Sequence, residues 1–240
     1  MIGLEQCRCS VCAGADRGLA LHRRRFLGAG ALATIAAAVP LIAAGPTRAK
    51  TSLSPDEAVA RLVAGNDRFV RGQLDSFKVD VKELRGRTVA GQEPFAAVLS
   101  CADSRVPVEL VFDQSIGDLF VTRVAGNVVT PEILASLEYG AAVLGVRAIL
   151  VLAHQGCGAV HAAIDGKAVP GQISALYAPL RQAVARGGGE QEAVAKANAQ
   201  IQAAILANAS PVLSGMVKEG ALKILAGHYA LDTGKVTLLS

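Results

Sequence analysis

Three short runs of the chain are apolar at nearly every position: 95–100, 119–122 and 148–153. Continuous runs of this length predict strands buried on both faces, as in a parallel sheet covered by helices. Between and beyond them the apolar positions recur at helical spacing. Ser54-Pro55-Asp56-Glu57 supplies a capping serine, a first-turn proline and two carboxylates, and Ala58, Leu62, Val63, Phe69 and Val70 follow before Gly72; this predicts an N-terminal arm helix that packs or dimerises. Ile133, Leu134, Leu137, Ala141 and Leu144 predict a crossover helix over 131–144, and further helices fit a start near Ala159, then 172–186, 190–207 and 211–219. The last apolar stretch, 222–231, turns at Asp232-Thr233-Gly234 into 235–239, which predicts an antiparallel edge hairpin. Strands alternating with helices define the fold class: α/β, a mostly parallel central sheet with crossover helices and an antiparallel C-terminal edge strand.

Charge changes the picture only at the N-terminus. The formal net charge is +4, but the first 49 residues hold six Arg against Glu5 and Asp16, leaving 18 basic and 18 acidic side chains in the rest. A formally neutral domain with 4% aromatic residues has neither the electrostatic footprint nor the stacking surface of a nucleic-acid binder. Arg23-Arg24-Arg25-Phe26-Leu27, an uncharged stretch over 28–44, and Thr47-Arg48-Ala49 form a basic, then apolar, then small-residue sequence. That order predicts an export signal over 1–49, cleaved ahead of a domain over 50–240, and the arginine pair resembles the twin-arginine type. The expected destination is the periplasm or another extracytoplasmic space, reached through the twin-arginine machinery. The rival is an uncleaved anchor over 26–44, weakened by Pro40 and a high Ala/Gly content. Cys7, Cys9, Cys12 and His22 form a short metal-competent cluster that would be lost with the leader.

The chemistry is concentrated where two predicted strands end. Cys101-Ala102-Asp103-Ser104-Arg105 follows the first strand and His154-Gln155-Gly156-Cys157 follows the third. Open α/β sheets gather ligands at the carboxyl ends of their strands, so the two segments converge. Two cysteines and one histidine make a three-ligand zinc set with a fourth position left for water. In an exported chain a Cys101–Cys157 disulfide is the competing reading, but it explains neither His154 nor Asp103. Asp103 is placed to accept a hydrogen bond from zinc-bound hydroxide, and Arg105 to hold that carboxylate bidentately. If Arg105 released it, Asp103 would become the fourth zinc ligand and close the site. His161 and His228 read as structural histidines rather than ligands.

Taken together, these residues resemble the β-class carbonic anhydrases. The likeness is carried by Cys101-Ala-Asp-Ser-Arg105, His154-Gln-Gly-Cys157-Gly158, Gly65-Asn66-x-Arg68-Phe69, Arg123-x-Ala125-Gly126-Asn127 and Leu137-Glu138-Tyr139. It implies one Zn²⁺ per chain on Cys101, His154 and Cys157, with Asp103 and Arg105 as catalytic dyad and Asp103 as a ligand in a closed state only. It implies reversible hydration of CO₂ to bicarbonate and a proton, by attack of zinc hydroxide on CO₂, in a homodimer or a dimer-based tetramer. Gln92, Phe120, Tyr139 and Gly158 match its substrate-pocket positions. The chain has no tryptophan, which sets it apart from members with a tryptophan-containing bicarbonate site. Carbonyl sulfide or carbon disulfide hydrolysis on the same fold, and a non-catalytic zinc scaffold, are the alternatives.

Overall fold

A computed structural model of the chain describes residues 51–76 and 78–240. The leader over 1–49, with Cys7, Cys9, Cys12 and His22, lies outside the described residues.

The predicted strands assemble into one five-stranded sheet in the order β2-β1-β3-β4-β5. Its members are β1 (Ala96–Ser100), β2 (Leu119–Arg123), β3 (Ala148–His154), β4 (Lys223–Tyr229) and β5 (Val236–Leu239). The first four run parallel and β5 pairs antiparallel with β4 at one edge. Every residue of β1 and β3 is buried, as their unbroken apolar runs require of strands covered on both faces. Ser100 pairs with both Arg123 and Leu152, so β1 and β2 end level and β3 continues two residues further to His154.

Alternation along the strands separates two cores. Ala97, Leu99, Ile149, Val151 and Ala153 pack with Leu137, Val160, Leu180, Leu206 and Leu213. These last five come from the helices α4 (Pro131–Tyr139), α5 (Gly158–Asp165), α6 (Tyr177–Gly187), α7 (Gln191–Ala209) and α8 (Pro211–Lys218). Ala96, Val98, Leu150 and Leu152 pack on the opposite face with Ala58, Leu62, Val108, Val111 and Phe112. That layer is built by α1 (Pro55–Val70) and the single turn α3 (Val108–Val111).

The arm helix α1 begins on a complete capping box. Ser54 Oγ accepts from the Glu57 N–H at 3.3 Å, and Glu57 Oε2 accepts from the Ser54 N–H at 2.7 Å. Asn66 then ties it down: its amide donates to the carbonyl oxygens of Val111 and Gly234, and its Oδ1 accepts from the Val236 N–H at 2.8 Å. Gly65 permits the contact, since a Cβ there would stand 1.8 Å from the Phe112 carbonyl oxygen.

Three elements depart from the expected pattern. The crossover helix stops at Tyr139 and widens into a π turn over Gly140–Leu144, where Gly140 gives room to the Phe120 ring. The helix expected over 172–186 is a 3₁₀ turn, Ile173–Leu176, followed by α6. Pro179 explains this, because proline is tolerated only in a first helical turn and so fixes where α6 starts. Helix α2 (Val81–Thr88) buries no residue and so carries no apolar period by which to anticipate it.

Candidate metal centre

Cys101 directly follows β1, His154 ends β3, and Cys157 caps α5. Their ligand atoms lie within 4.8 Å of one another, and all three residues are buried. The two sulfurs are 3.9 Å apart and both cysteines are free, so the competing disulfide is not formed. Sulfurs held tetrahedrally at zinc–sulfur distances of about 2.3 Å would stand about 3.8 Å apart. His154 Nδ1 lies 2.9 Å from the Gln155 carbonyl oxygen, while Nε2 is buried with no hydrogen-bond partner. With Nδ1 donating, the lone pair of Nε2 is left without a donor, a costly state for a buried acceptor that a cation at the cluster relieves.

The thiols are electrostatically coupled. The hydrogen bond between the two sulfurs holds the Cys101 thiol down, helped by His154 and by the Gly126 N–H at 3.3 Å and opposed by burial. The same bond and the same burial push Cys157 up. Cys157 is thus the sulfur that keeps its proton, and a cation would have to displace it to take both as thiolates. A borderline-soft divalent ion fits this sulfur and nitrogen donor set.

Helix α7 braces the centre through side chains absent from the sequence-derived site. Gln191 donates to the Cys157 carbonyl oxygen at 3.1 Å, and Asn198 to that of Gly126 at 2.8 Å. Gln202 donates to Asn198 at 3.1 Å and accepts from the Val129 N–H at 2.8 Å. Asn198 and Gln202 are both buried. Their i, i+4 spacing on an otherwise apolar helix face is the signal that would have revealed them.

Asp103 lies beside the ligands, its Oδ2 3.9 Å from His154 Nε2. Arg105 grips both carboxylate oxygens, Nε to Oδ1 at 2.9 Å and Nη2 to Oδ2 at 2.8 Å, and Nη2 also donates to the Gly156 carbonyl oxygen. That grip, against the effect of burial, holds the Asp103 carboxyl well below the usual carboxylate range. Arg123 donates to the carbonyl oxygens of Cys101 and Asp103 and fixes the loop between them.

The expected substrate residues do not all meet here. Gly158 does: it is exposed beside Cys157, and a Cβ there would meet nothing. Gln92 is exposed in the loop before β1, at the amino end of the strand that delivers Cys101 from its carboxyl end. Phe120 pairs with Ala97 in the sheet, four residues short of Cys101, or about 13 Å along the strand. The Tyr139 ring packs at a tilt against Phe120, with centroids 6.3 Å apart, and Tyr139 is 48% exposed. Within one chain, Gln92, Phe120 and Tyr139 are therefore separated from the metal cluster by the length of β1. His161 is exposed on α5 and His228 buried on β4; neither joins the cluster, and exposure removes the structural role expected of His161.

A parallel sheet with a Cys₂His cluster at its carboxyl edge, flanked by a carboxylate clamped to an arginine, defines a class of metal-dependent lyase or hydrolase centre. The comparisons narrow it. The carbonic anhydrase family profile matches residues 96–236. Carbonic anhydrase 2 of Mycobacterium tuberculosis is 36% identical over 193 residues, covering 77% of this chain and 93% of its own. A carbonic anhydrase of Pseudomonas aeruginosa is 33% identical over 189 residues, covering 72% and 85%. Among solved structures, the β-carbonic anhydrase CafA of Aspergillus fumigatus superposes with a TM-score of 0.62 at 25% identity, over 76% of this chain and 90% of that one. One of two tetrameric β-carbonic anhydrases of Sordaria macrospora also gives 0.62, at 22% identity over 77% and 98%. The chain belongs to the carbonic anhydrase family, in its β class.

Proposed function

We propose that this chain catalyses the reversible hydration of CO₂ to bicarbonate and a proton, with one Zn²⁺ held by Cys101, His154 and Cys157. The observation that carries the reading is the buried Cys₂His cluster with its unpartnered His154 Nε2, beside a doubly clamped Asp103. A metal bound there supplies Lewis acidity that makes water a nucleophile at neutral pH. Asp103, kept ionised by Arg105, is the acceptor that would orient a water at the cluster towards CO₂. Arg105, with its second anchor on Gly156, would keep that carboxylate from entering the coordination of a metal held by the three ligands. The buried ligands and the Gly126–Asn198–Gln202 chain hold the reacting geometry without costing reorganisation during turnover.

Gln92, Phe120 and Tyr139 enter this proposal as residues that serve the site of a second copy, because their own site lies at the far end of β1. The assembly is accordingly a homodimer or a multiple of one. The leader over 1–49 belongs to the proposal as a twin-arginine-type signal delivering a folded, metal-loaded domain to the periplasm.

Stopped-flow CO₂ hydration on the purified chain, with zinc counted per polypeptide, tests the reading. About one zinc per chain with turnover abolished by chelation and restored by zinc is the expected result. One zinc with no CO₂ turnover but hydrolysis of carbonyl sulfide or carbon disulfide would transfer the site to those substrates. A metal-free, oxidised Cys101–Cys157 pair would overturn it.

A further inference from the structure

A thiolate gives a metal more or less charge according to the N–H groups that touch its sulfur. The two sulfurs of this cluster draw those groups from different places. Cys157 takes the N–H groups of Ala159 and Val160, in the first turn of its own helix α5. Cys101 takes the Gly126 N–H at 3.3 Å, from a turn 25 residues further along the chain. The aim of that donor depends on what holds the turn.

The 3₁₀ turn Ala125–Asn127 is strained. Gly126 has φ 75° and Asn127 φ 43°, two left-handed residues in succession, and the second is not a glycine. Such a turn persists only where its surroundings fix it, and here the clamp comes from α7. Asn198 Nδ2 donates to the Gly126 carbonyl oxygen at 2.8 Å, so Gly126 is held from both sides, its N–H on the Cys101 sulfur and its C=O on the helix. Gln202 Nε2 donates to Asn198 Oδ1 at 3.1 Å, and Gln202 Oε1 accepts from the Val129 N–H at 2.8 Å, just past the turn. Each amide uses both its oxygen and its nitrogen. Both are buried among Ala195, Ala199 and Leu206, where burying an amide costs more than burying another apolar side chain. Packing alone gives no reason for the pair.

Resting on the metal-dependent reading above, we infer that Asn198, backed by Gln202, is a positioning residue of this enzyme: by fixing the 125–127 turn it keeps the Gly126 N–H on the Cys101 sulfur, and so limits the charge that sulfur gives to a bound metal. A metal that receives less charge is the stronger Lewis acid. Without the clamp the turn relaxes, the N–H leaves the sulfur, and Cys101 becomes the richer donor. Cys101, His154 and Cys157 all remain in place, so the effect is on the strength of the centre rather than on its assembly.

The test loads the wild-type chain and its variants with Co²⁺ in place of zinc and reads the sulfur-to-cobalt charge-transfer band, whose energy falls when a sulfur loses a hydrogen bond. In Asn198→Leu the band should move to longer wavelength with about one metal per chain retained, and the zinc form should lose about tenfold in kcat/KM. Gln202→Leu should shift the band the same way by less, and it decides the matter if Asn198→Leu does not fold. Leu206→Ala, which opens a cavity on the buried face of the same helix, should lower stability and leave the band in place. An unmoved band in the folded clamp variant, an equal shift in Leu206→Ala, or loss of metal from folded Asn198→Leu would overturn the assignment while CO₂ hydration stands. A wild type that binds Co²⁺ but whose zinc form hydrates no CO₂ would overturn the function alone, with the band still deciding the role of Asn198. A wild type that binds no metal would overturn both.

Discussion

Asp103 has two competing partners, the Arg105 guanidinium that grips both its oxygens and the metal position beside His154 Nε2, 3.9 Å from Oδ2. Protonation does not decide between them. Its pKa is depressed from 3.8, chiefly by Arg105, so the ion pair is fully formed above that value and is lost only as pH falls through the lower folded-state value. Closure of the site at mildly acid pH therefore requires Arg105 to move. Arg105→Ala should keep about one metal per chain and lose about 10²-fold or more in kcat/KM, because the oriented carboxylate is gone. Arg105→Lys should not rescue it, since a point charge cannot hold both oxygens. A variant that loses metal instead would make Arg105 a support of the ligand loop. The ligands themselves were legible in the sequence because two short motifs each followed an apolar run, and strand ends in such sheets converge. Gln191, Asn198 and Gln202 were not, because helical polar residues declare their partners only when the sheet is assembled.

At the scale of elements, the α1–α3 contact shows how tightly the arm helix is fixed. Asp113, just beyond α3 and held at φ 46°, accepts from Arg68 Nε at 2.5 Å and from the N–H groups of Asp75 and Ser76. Its side chain is fully buried. Burial pushes its pKa up, but the Ser76, Arg68 and Asp75 donors pull harder and bring it to about 2. This depressed carboxylate contributes stability that is complete above its ordinary 3.8 and disappears as pH falls towards about 2. Asp113→Asn should cost about 2 kcal/mol at neutral pH, with the gap in urea midpoints closing across that acid window. A gap independent of pH would mean that the carboxylate's charge is not what secures the loop. The Arg68 end of this contact lay inside a recognisable helix motif, whereas Asp113 and the four-residue α3 carried no period from which to derive them. Strands β1 and β3 were legible for the opposite reason, since burial on both faces leaves an unbroken apolar run.

At the scale of the whole molecule, the sheet sets a distance that one chain cannot cross. Gln92 sits before the amino end of β1, and Cys101 emerges from the carboxyl end, so a single chain keeps them apart by the full strand. If Gln92 serves catalysis, it serves another copy's metal centre, and under two-fold symmetry each copy returns the contribution. Gln92→Ala and Asp103→Asn then disable different halves of one composite site. Each variant alone should be nearly inactive: the first lacks the substrate contact at both sites, the second lacks the orienting carboxylate at both. In mixed dimers one site unites an intact Asp103 with an intact Gln92. Random exchange between equal amounts of the two variants should therefore restore about a quarter of the wild-type sites. A Gln92 that acted within its own chain would give no restoration, because every site would still lack one of the two groups. Activity measured before and after subunit exchange separates these outcomes, and only the first is compatible with a site assembled from two chains.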